Sequence, residues 1–206
     1  MEMDLEIARL QREQWELAEQ EERQKELDLY DPKKRITYTV DELAEGIRKG
    51  KQYVYTLKME FEPRTFLQGR LKMPFILDFF EVIEEKQDYL LLVSDKRNVS
   101  ISVSCIPGEK VEKSLKDWAV QSCEMLRGMK LSAKLDQVKA LELIEYFTYE
   151  LPTAEGRVYN TVFRFVKEGC IFAGAMNCAA EEKKGMGLLL EALIHVTDEL
   201  NGQEGE

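Results

Sequence analysis

An α+β protein is predicted: an antiparallel β-sheet covered by two amphipathic helices and preceded by an acidic, helical N-terminal extension. Three observations carry this. Apolar–polar alternations recur between residues 66 and 178, and most consecutive ones are joined by connections too short for crossover helices, so those strands should pair antiparallel. Two segments, 114–129 and 179–200, instead place apolar residues three and four apart, the spacing of a helix with one buried face. The first 31 residues contain no Gly or Pro and are dominated by Leu, Glu, Gln, Arg and Ala, which are good helix formers.

Residues 3–26 read as a helix with a thin stripe of Met3, Ile7, Leu10 and Leu17. The stripe fades beyond Leu17, so it suits docking on one surface and does not sustain a coiled coil. Asp31-Pro32 ends it, because a residue before proline avoids helical geometry. Thr39 and Glu42 then read as a capping box opening a helix over 40–49, with Leu43 and Ile47 on one face and Gly50 as its stop. Residues 53–61 alternate Tyr53, Tyr55, Leu57, Met59 and Phe61 as a half-buried strand, closed by Glu62-Pro63. The organisation expected is an extension over 1–31, a linker with a short helix and strand over 32–65, a domain over 66–200 and a disordered polar tail over 201–206.

Within the domain, 66–73 reads as the opening strand. Residues 74–85 fit a helix about as well as a bent strand, because Phe75, Ile76, Phe79, Val82 and Ile83 match both periods. Segments 89–93 and 99–106 form a hairpin through Asp95-Lys96-Arg97-Asn98, and Pro107-Gly108 ends its second strand. Ser114 caps a helix whose buried stripe is Leu115, Trp118, Ala119, Ser122, Met125, Leu126 and Met129. Strands follow over 131–138, 140–151, 158–166 and 170–178. A terminal helix places Met186, Leu189, Leu190, Leu193, Val196, Thr197 and Leu200 along one side.

Composition excludes several functions. The net charge of −10 argues against nucleic acid, whose phosphates require clustered Lys and Arg. No apolar run approaches the ~18 residues of a membrane span, and the opening residues lack a signal peptide's charge and apolar core. A cytoplasmic protein without membrane insertion is therefore expected. Cys105, Cys123, Cys170 and Cys178 show no metal-ligand spacing and read as small reduced core residues. No cofactor motif occurs, so none is expected; Gly185-Met186-Gly187 fits neither phosphate-loop pattern and reads as a helix start or kink.

The chain is also expected to lack a catalytic set. Nucleophilic catalysis needs a base, and the single histidine, His195, lies off the terminal helix's main apolar stripe as a boundary residue. The many carboxylates read as a solvated face. What remains is the apolar run from Met73 to Phe80, which would bury both faces of its element if all of it were core. Phe75, Ile76, Phe79 and Phe80, with Tyr146 and Phe163 on the sheet face, are the candidate residues for receiving a protein or peptide segment.

Residues 66–200 resemble the PsbP/Mog-type fold, and within it the Eag-type adaptor proteins of bacterial type VI secretion. The resemblance rests on Leu67 to Pro74 as an opening strand ending in Met-Pro, and on Val99-Ser-Ile-Ser-Val-Ser-Cys-Ile-Pro-Gly-Glu-Lys running into the helix at Ser114. It rests further on the strand-rich stretch to Met176 and the last helix. Where those adaptors carry a glycine–tryptophan pair, this chain has Phe75-Ile76. The resemblance implies a non-enzymatic, chaperone-like adaptor that shields an apolar segment, and it leaves a homodimer open because such adaptors dimerise. An acidic immunity-type inhibitor of a basic toxin is the alternative, and a small-molecule-binding protein a third.

Overall fold

The structure is a computed structural model and describes residues 38–95, 97–154 and 156–202. The expected extension over 1–31 and the tail beyond Gly202 lie outside the described residues. Residues 38–54 and 58–202 belong to one compact unit. Of the other unit, the described part is Tyr55–Leu57, a turn at 55–56 opened by Tyr55 at φ +55° and followed by Leu57, the first residue of a strand.

Helix α1 (Val40–Arg48) begins as the sequence predicts. The Thr39 hydroxyl accepts from the Glu42 amide at 3.2 Å, and the Glu42 carboxylate accepts from the Thr39 amide at 2.9 Å. Strands β1 (Lys51–Val54), β2 (Leu57–Phe66) and β3 (Leu71–Ile76) form a three-stranded sheet. Two expectations are corrected here. Glu62-Pro63 does not end a strand, and 66–73 is not one strand but the end of β2, a turn over 67–70 and the start of β3. Pro63 and Pro74 sit directly opposite each other in the β2–β3 register. In an antiparallel pair, alternate facing residues exchange no hydrogen bonds, so two facing prolines need forfeit none. The turn between the strands holds Leu67 and Gln68 at φ +54° and +58°, which the residue types do not announce.

Strands β4 (Glu81–Glu85), β5 (Tyr89–Ser94) and β6 (Val99–Pro107) precede helix α2 (Leu115–Gly128). Then come β7 (Lys134–Ala140), β8 (Glu145–Thr153), β9 (Gly156–Lys167) and β10 (Cys170–Ala179). These seven strands make one antiparallel sheet in the order β4-β5-β6-β10-β9-β8-β7. The open question over 74–85 resolves as the end of β3, a turn and then β4. The strand expected over 140–151 starts later, at Glu145, after a turn at 141–144.

One register row crosses all seven strands: Val82, Leu92, Ile101, Met176, Thr161, Thr148 and Gln137. Rows of this parity form the inner face, where Leu90, Val103, Phe163, Phe165, Phe172 and Tyr146 are buried. The last segment enters that face through a short 3₁₀ turn, Ala180–Glu182, and a π-type turn, Lys183–Gly187, before helix α3 (Leu188–Gly202). The kink expected at Gly185-Met186-Gly187 is that π-type turn. Gly187 lies so close to Tyr159 that a Cβ there would approach the ring within 2.9 Å.

Helix α3 carries buried polar side chains that fasten it to its surroundings. Asp198 accepts from the Leu143 and Ile144 amides at 2.9 and 2.6 Å. Asn201 bonds both the amide and the carbonyl of Lys72 in β3. From outside, Arg48 of α1 grips Glu199 with two bonds of 2.9 and 2.5 Å. The expected linker over 32–65 is thus corrected. Its helix packs on α3 and its strand pairs with β3, so residues 38–54 and 58–66 are integral to the domain.

Helix α2 covers the opposite face at β7 and β8. Trp118 meets Phe147 edge-on at 4.7 Å, and the Arg164 guanidinium lies 4.3 Å over the Trp118 ring while bonding Glu145. Its stripe differs from the expected one. Ala119 and Cys123 are buried, whereas Met125 and Met129 are 64% and 65% exposed.

Candidate functional site

Of the six candidate residues, five are buried. Tyr146 and Phe163 face each other across β8 and β9 beneath α3, at 0% and 1% exposure, and cannot meet a partner. The sheet face expected to present an apolar surface is closed by the chain's own last helix. Ile76 is also sealed at 0%. Phe75, Phe79 and Phe80 are brought together, because the β3–β4 turn folds them round one cleft of about 600 Å³.

That cleft is walled by Phe75, Leu77, Phe79, Phe80, Val82 and Val93, with Arg64, Asp78, Glu81, Ser94 and Asp95 completing the lining. Phe75 and Phe80 contribute from beneath, and Phe79, half-buried, packs edge-on against Phe80 at 4.9 Å. Asp78 turns the chain at φ +54°, a conformation that short polar side chains tolerate better than bulky ones. Arg64 lies 3.7 Å over the Phe75 ring and donates to Glu62 at 2.6 Å, so its charge is already engaged. Ser94, buried on the inner face, has a hydroxyl with no hydrogen-bond partner among the described atoms. A buried hydroxyl left so costs about 1–3 kcal/mol. The arrangement can hold an apolar group beside the carboxylates of Asp78, Glu81 and Asp95.

Sequence reasoning missed Arg64, Ser94 and Asp95, which come from distant strands. Val82 carried a signal: adjacent Val82 and Ile83, flanked by glutamates, point to opposite faces of a strand, and they are 42% and 56% exposed.

A second constellation gathers under α3. Glu191, 1% exposed, accepts from Gln137 at 2.6 Å, Tyr146 at 3.2 Å and Tyr159 at 2.9 Å, with the Lys139 ammonium at 3.4 Å. The phenol of Tyr146 also meets His195 Nε2 at 3.2 Å. With the phenol proton directed to Glu191, the imidazole N–H donates to the phenol oxygen. Burial, reinforced by Glu191, pushes both tyrosine hydroxyls well above their usual range, so they stay protonated. Burial first, and Lys139 second, push His195 below its ordinary value, so the imidazole is neutral at pH 7. A general base must reach its substrate, and this carboxylate is enclosed by its own partners. The cluster clasps the helix to β7, β8 and β9.

Cys105, Cys123 and Cys178 are buried and Cys170 half-buried, all as free thiols. Burial raises Cys105 to about 11 and Cys178 to about 12. Among the described residues no three His, Cys, Asp or Glu converge as metal ligands, and no helix is long and apolar enough to cross a membrane.

No family model matches the chain, and no curated protein does. Solved structures do. The cyanobacterial PsbP protein CyanoP from Synechocystis, solved in solution, superposes with a TM-score of 0.54 over 66% of this chain and 89% of its own, at 7% identity. The fold is PsbP-like. A Pseudomonas aeruginosa protein of unknown function, PA94, described as a putative regulator, matches at a TM-score of 0.39 and 6% identity, over 72% of this chain and 97% of its own. At 7% identity the likeness to CyanoP speaks for the fold alone.

Proposed function

We propose that this PsbP-like chain is a non-enzymatic, cytoplasmic adaptor or chaperone-like protein that receives an apolar segment of a partner protein in the cleft between β3 and β4. The observation that carries the reading is the cleft itself. Six apolar side chains line one open depression. Ligand sites combine apolar walls with placed polar groups, and this depression sets its apolar side chains beside Asp78, Glu81 and Asp95. The Glu191 cluster, where ionisable groups do converge, is occupied by its own hydrogen bonds, which supports binding over catalysis. The resemblance to Eag-type adaptors agrees in kind with capture of an apolar segment.

The test is a photo-crosslinking amino acid placed at position 79 or 82, with position 129 on the far helix as control, in cells that produce the protein. The expected result is one discrete protein adduct from 79 and 82 that is absent from 129. Equal adducts from all three positions, or none from the cleft, would overturn the proposal.

A further inference from the structure

The wall of the cleft that carries Val82 is also the end of the seven-stranded sheet. Strand β4 pairs with β5 on one side, and among the described residues no strand pairs with it on the other. An unpaired strand edge exposes a row of backbone donors and acceptors that another chain can complete. Proteins usually blunt such edges with charge, bulges or short length. Strand β4 has a bulge between Val82 and Glu84 and three glutamates in five residues, yet it leaves both of its apolar side chains in solvent.

Those side chains are informative because of their register. Val82 lies opposite Leu92, so it continues the inner-face row beyond the sheet's last internal strand. A further strand laid on β4 would place its inward side chain next in that row, over Val82 and against Phe75 and Phe80. The opposite end of the sheet offers no such continuation. There the row ends at Gln137, which is committed to Glu191.

Charge selects the occupant. Asp78, Glu81 and Asp95 line the cleft, and none of them is in an ion pair among the described residues. The only cation among the described lining residues, Arg64, is held by Glu62. A second copy of β4 would set glutamates against glutamates, and like charges facing across strands repel. A segment bearing Lys or Arg beside its apolar residue meets the opposite situation.

We infer that the free edge of β4 binds an extended basic peptide by strand addition. The peptide's backbone pairs with β4, an apolar side chain enters the cleft over Val82, and flanking Lys or Arg residues face Asp78, Glu81 and Asp95. This rests on the reading of the cleft as a partner site and adds the form and charge of what enters it.

The experiment uses the full chain and fluorescein-labelled nine-residue peptides alternating lysine with valine or phenylalanine, read by anisotropy. Two control peptides accompany them: one with glutamate for lysine, and one N-methylated at alternate backbone amides. Strand addition predicts that both controls bind at least about tenfold more weakly, a loss equivalent to 1.4 kcal/mol. Val82→Lys, a change at an exposed position, should weaken the parent peptide similarly. Bound peptide should slow amide exchange at residues 81–85. If the N-methylated peptide, made in both registers, binds as well as its parent, strand addition is wrong and simple apolar capture stands. If the glutamate peptide binds equally, the charge assignment is wrong. A protein dimer that Ile83→Lys dissolves would give the edge to a second copy and overturn the inference. If the lysine peptide fails while the crosslink from position 79 still forms in cells, strand addition alone falls. Loss of both removes the underlying reading as well.

Discussion

Replacing Glu191 by alanine should be among the costlier single changes in this domain, and its cost can be worked from the clasp. The carboxylate is 1% exposed and accepts from two phenols that are themselves 0% and 1% exposed. Removing it strands the Tyr146 and Tyr159 hydroxyls, at about 1–3 kcal/mol each. Tyr146 keeps His195 at 3.2 Å and Tyr159 keeps Thr148 and a 3.5 Å approach from Gln137, so neither loss is complete. Lys139, 40% exposed, can turn to solvent at little expense. Relief of the carboxylate's own desolvation offsets part of the total. The expected net destabilisation is roughly 3 kcal/mol, a large share of the 5–15 kcal/mol that holds an ordinary domain. Urea unfolding followed by tryptophan fluorescence should show a lower midpoint with an unchanged slope. Glu191→Gln, which retains one acceptor oxygen but turns an amide donor toward other donors, should fall between wild type and alanine. Tyr146→Phe should cost less in the Glu191→Ala background than alone, because the hydroxyl has already lost its acceptor. An alanine variant within about 0.5 kcal/mol of wild type, where ordinary surface changes lie, would show that the clasp contributes nothing and refute the argument.

Three further outcomes follow from the packing. At Gly174 a Cβ would run into the Phe163 ring and come within 2.8 Å of the Ser102 carbonyl oxygen, so Gly174→Ala should lower stability by about 1–3 kcal/mol; Phe163→Leu in the same chain should recover part of the melting temperature. His195 has a folded pKa below its ordinary value, first through burial, so as pH falls through about 6.5 the unfolded chain takes up a proton that the fold does not. Stability should therefore decline from pH 7 toward pH 5, by no more than about 1.4 kcal/mol per pH unit for this one group, and His195→Gln should flatten that stretch of the profile in urea titrations. Arg164, whose side chain is 8% exposed, stacks on Trp118 and bonds Glu145 and the Lys113 carbonyl; because Glu145 is 35% exposed and can take up water, Arg164→Ala should cost about 1–3 kcal/mol, less than breaking a buried pair, and shift the Trp118 fluorescence.

The fold class was legible because its signals are local. The Thr39–Glu42 capping box, the hairpin at 95–98 and the alternation through 158–178 each specify their element without help from distant residues. What escaped depends on tertiary context. The β2–β3 hairpin turns on Leu67 and Gln68 at positive φ, where a sequence reading expects Gly or Asn. The buried stripe of α2 was misread at Met125 and Met129, because helical spacing gives the width of an apolar face but not which edge of it meets the sheet. Tyr146 and Phe163 were read correctly as sharing a sheet face. Which face α3 would cover follows from Glu191, Asp198 and Asn201, polar residues whose burial no periodicity reveals.

The apolar run from Met73 to Phe80 illustrates how one segment can be both core and site. Strand β3 belongs to the small sheet and packs on α3, and Met73, Phe75 and Ile76 are buried across its two faces. It then turns at Asp78, and β4 leaves it to join the other sheet. A chain that passes from one sheet to another cannot keep the same side chains inward across the crossing, so an apolar sequence there necessarily shows some of its surface. Phe79 and Val82 are the residues it shows. The same crossing that buries Phe75, Ile76 and Phe80 therefore opens the cleft beside them. A partner would meet the rim of that turn and the edge of β4, leaving the face carrying Tyr146 and Phe163 to the chain's own helix. If Phe79→Asp left partner capture intact while Val82→Lys abolished it, the contact would lie along the strand edge alone; loss in both variants would place it across the cleft.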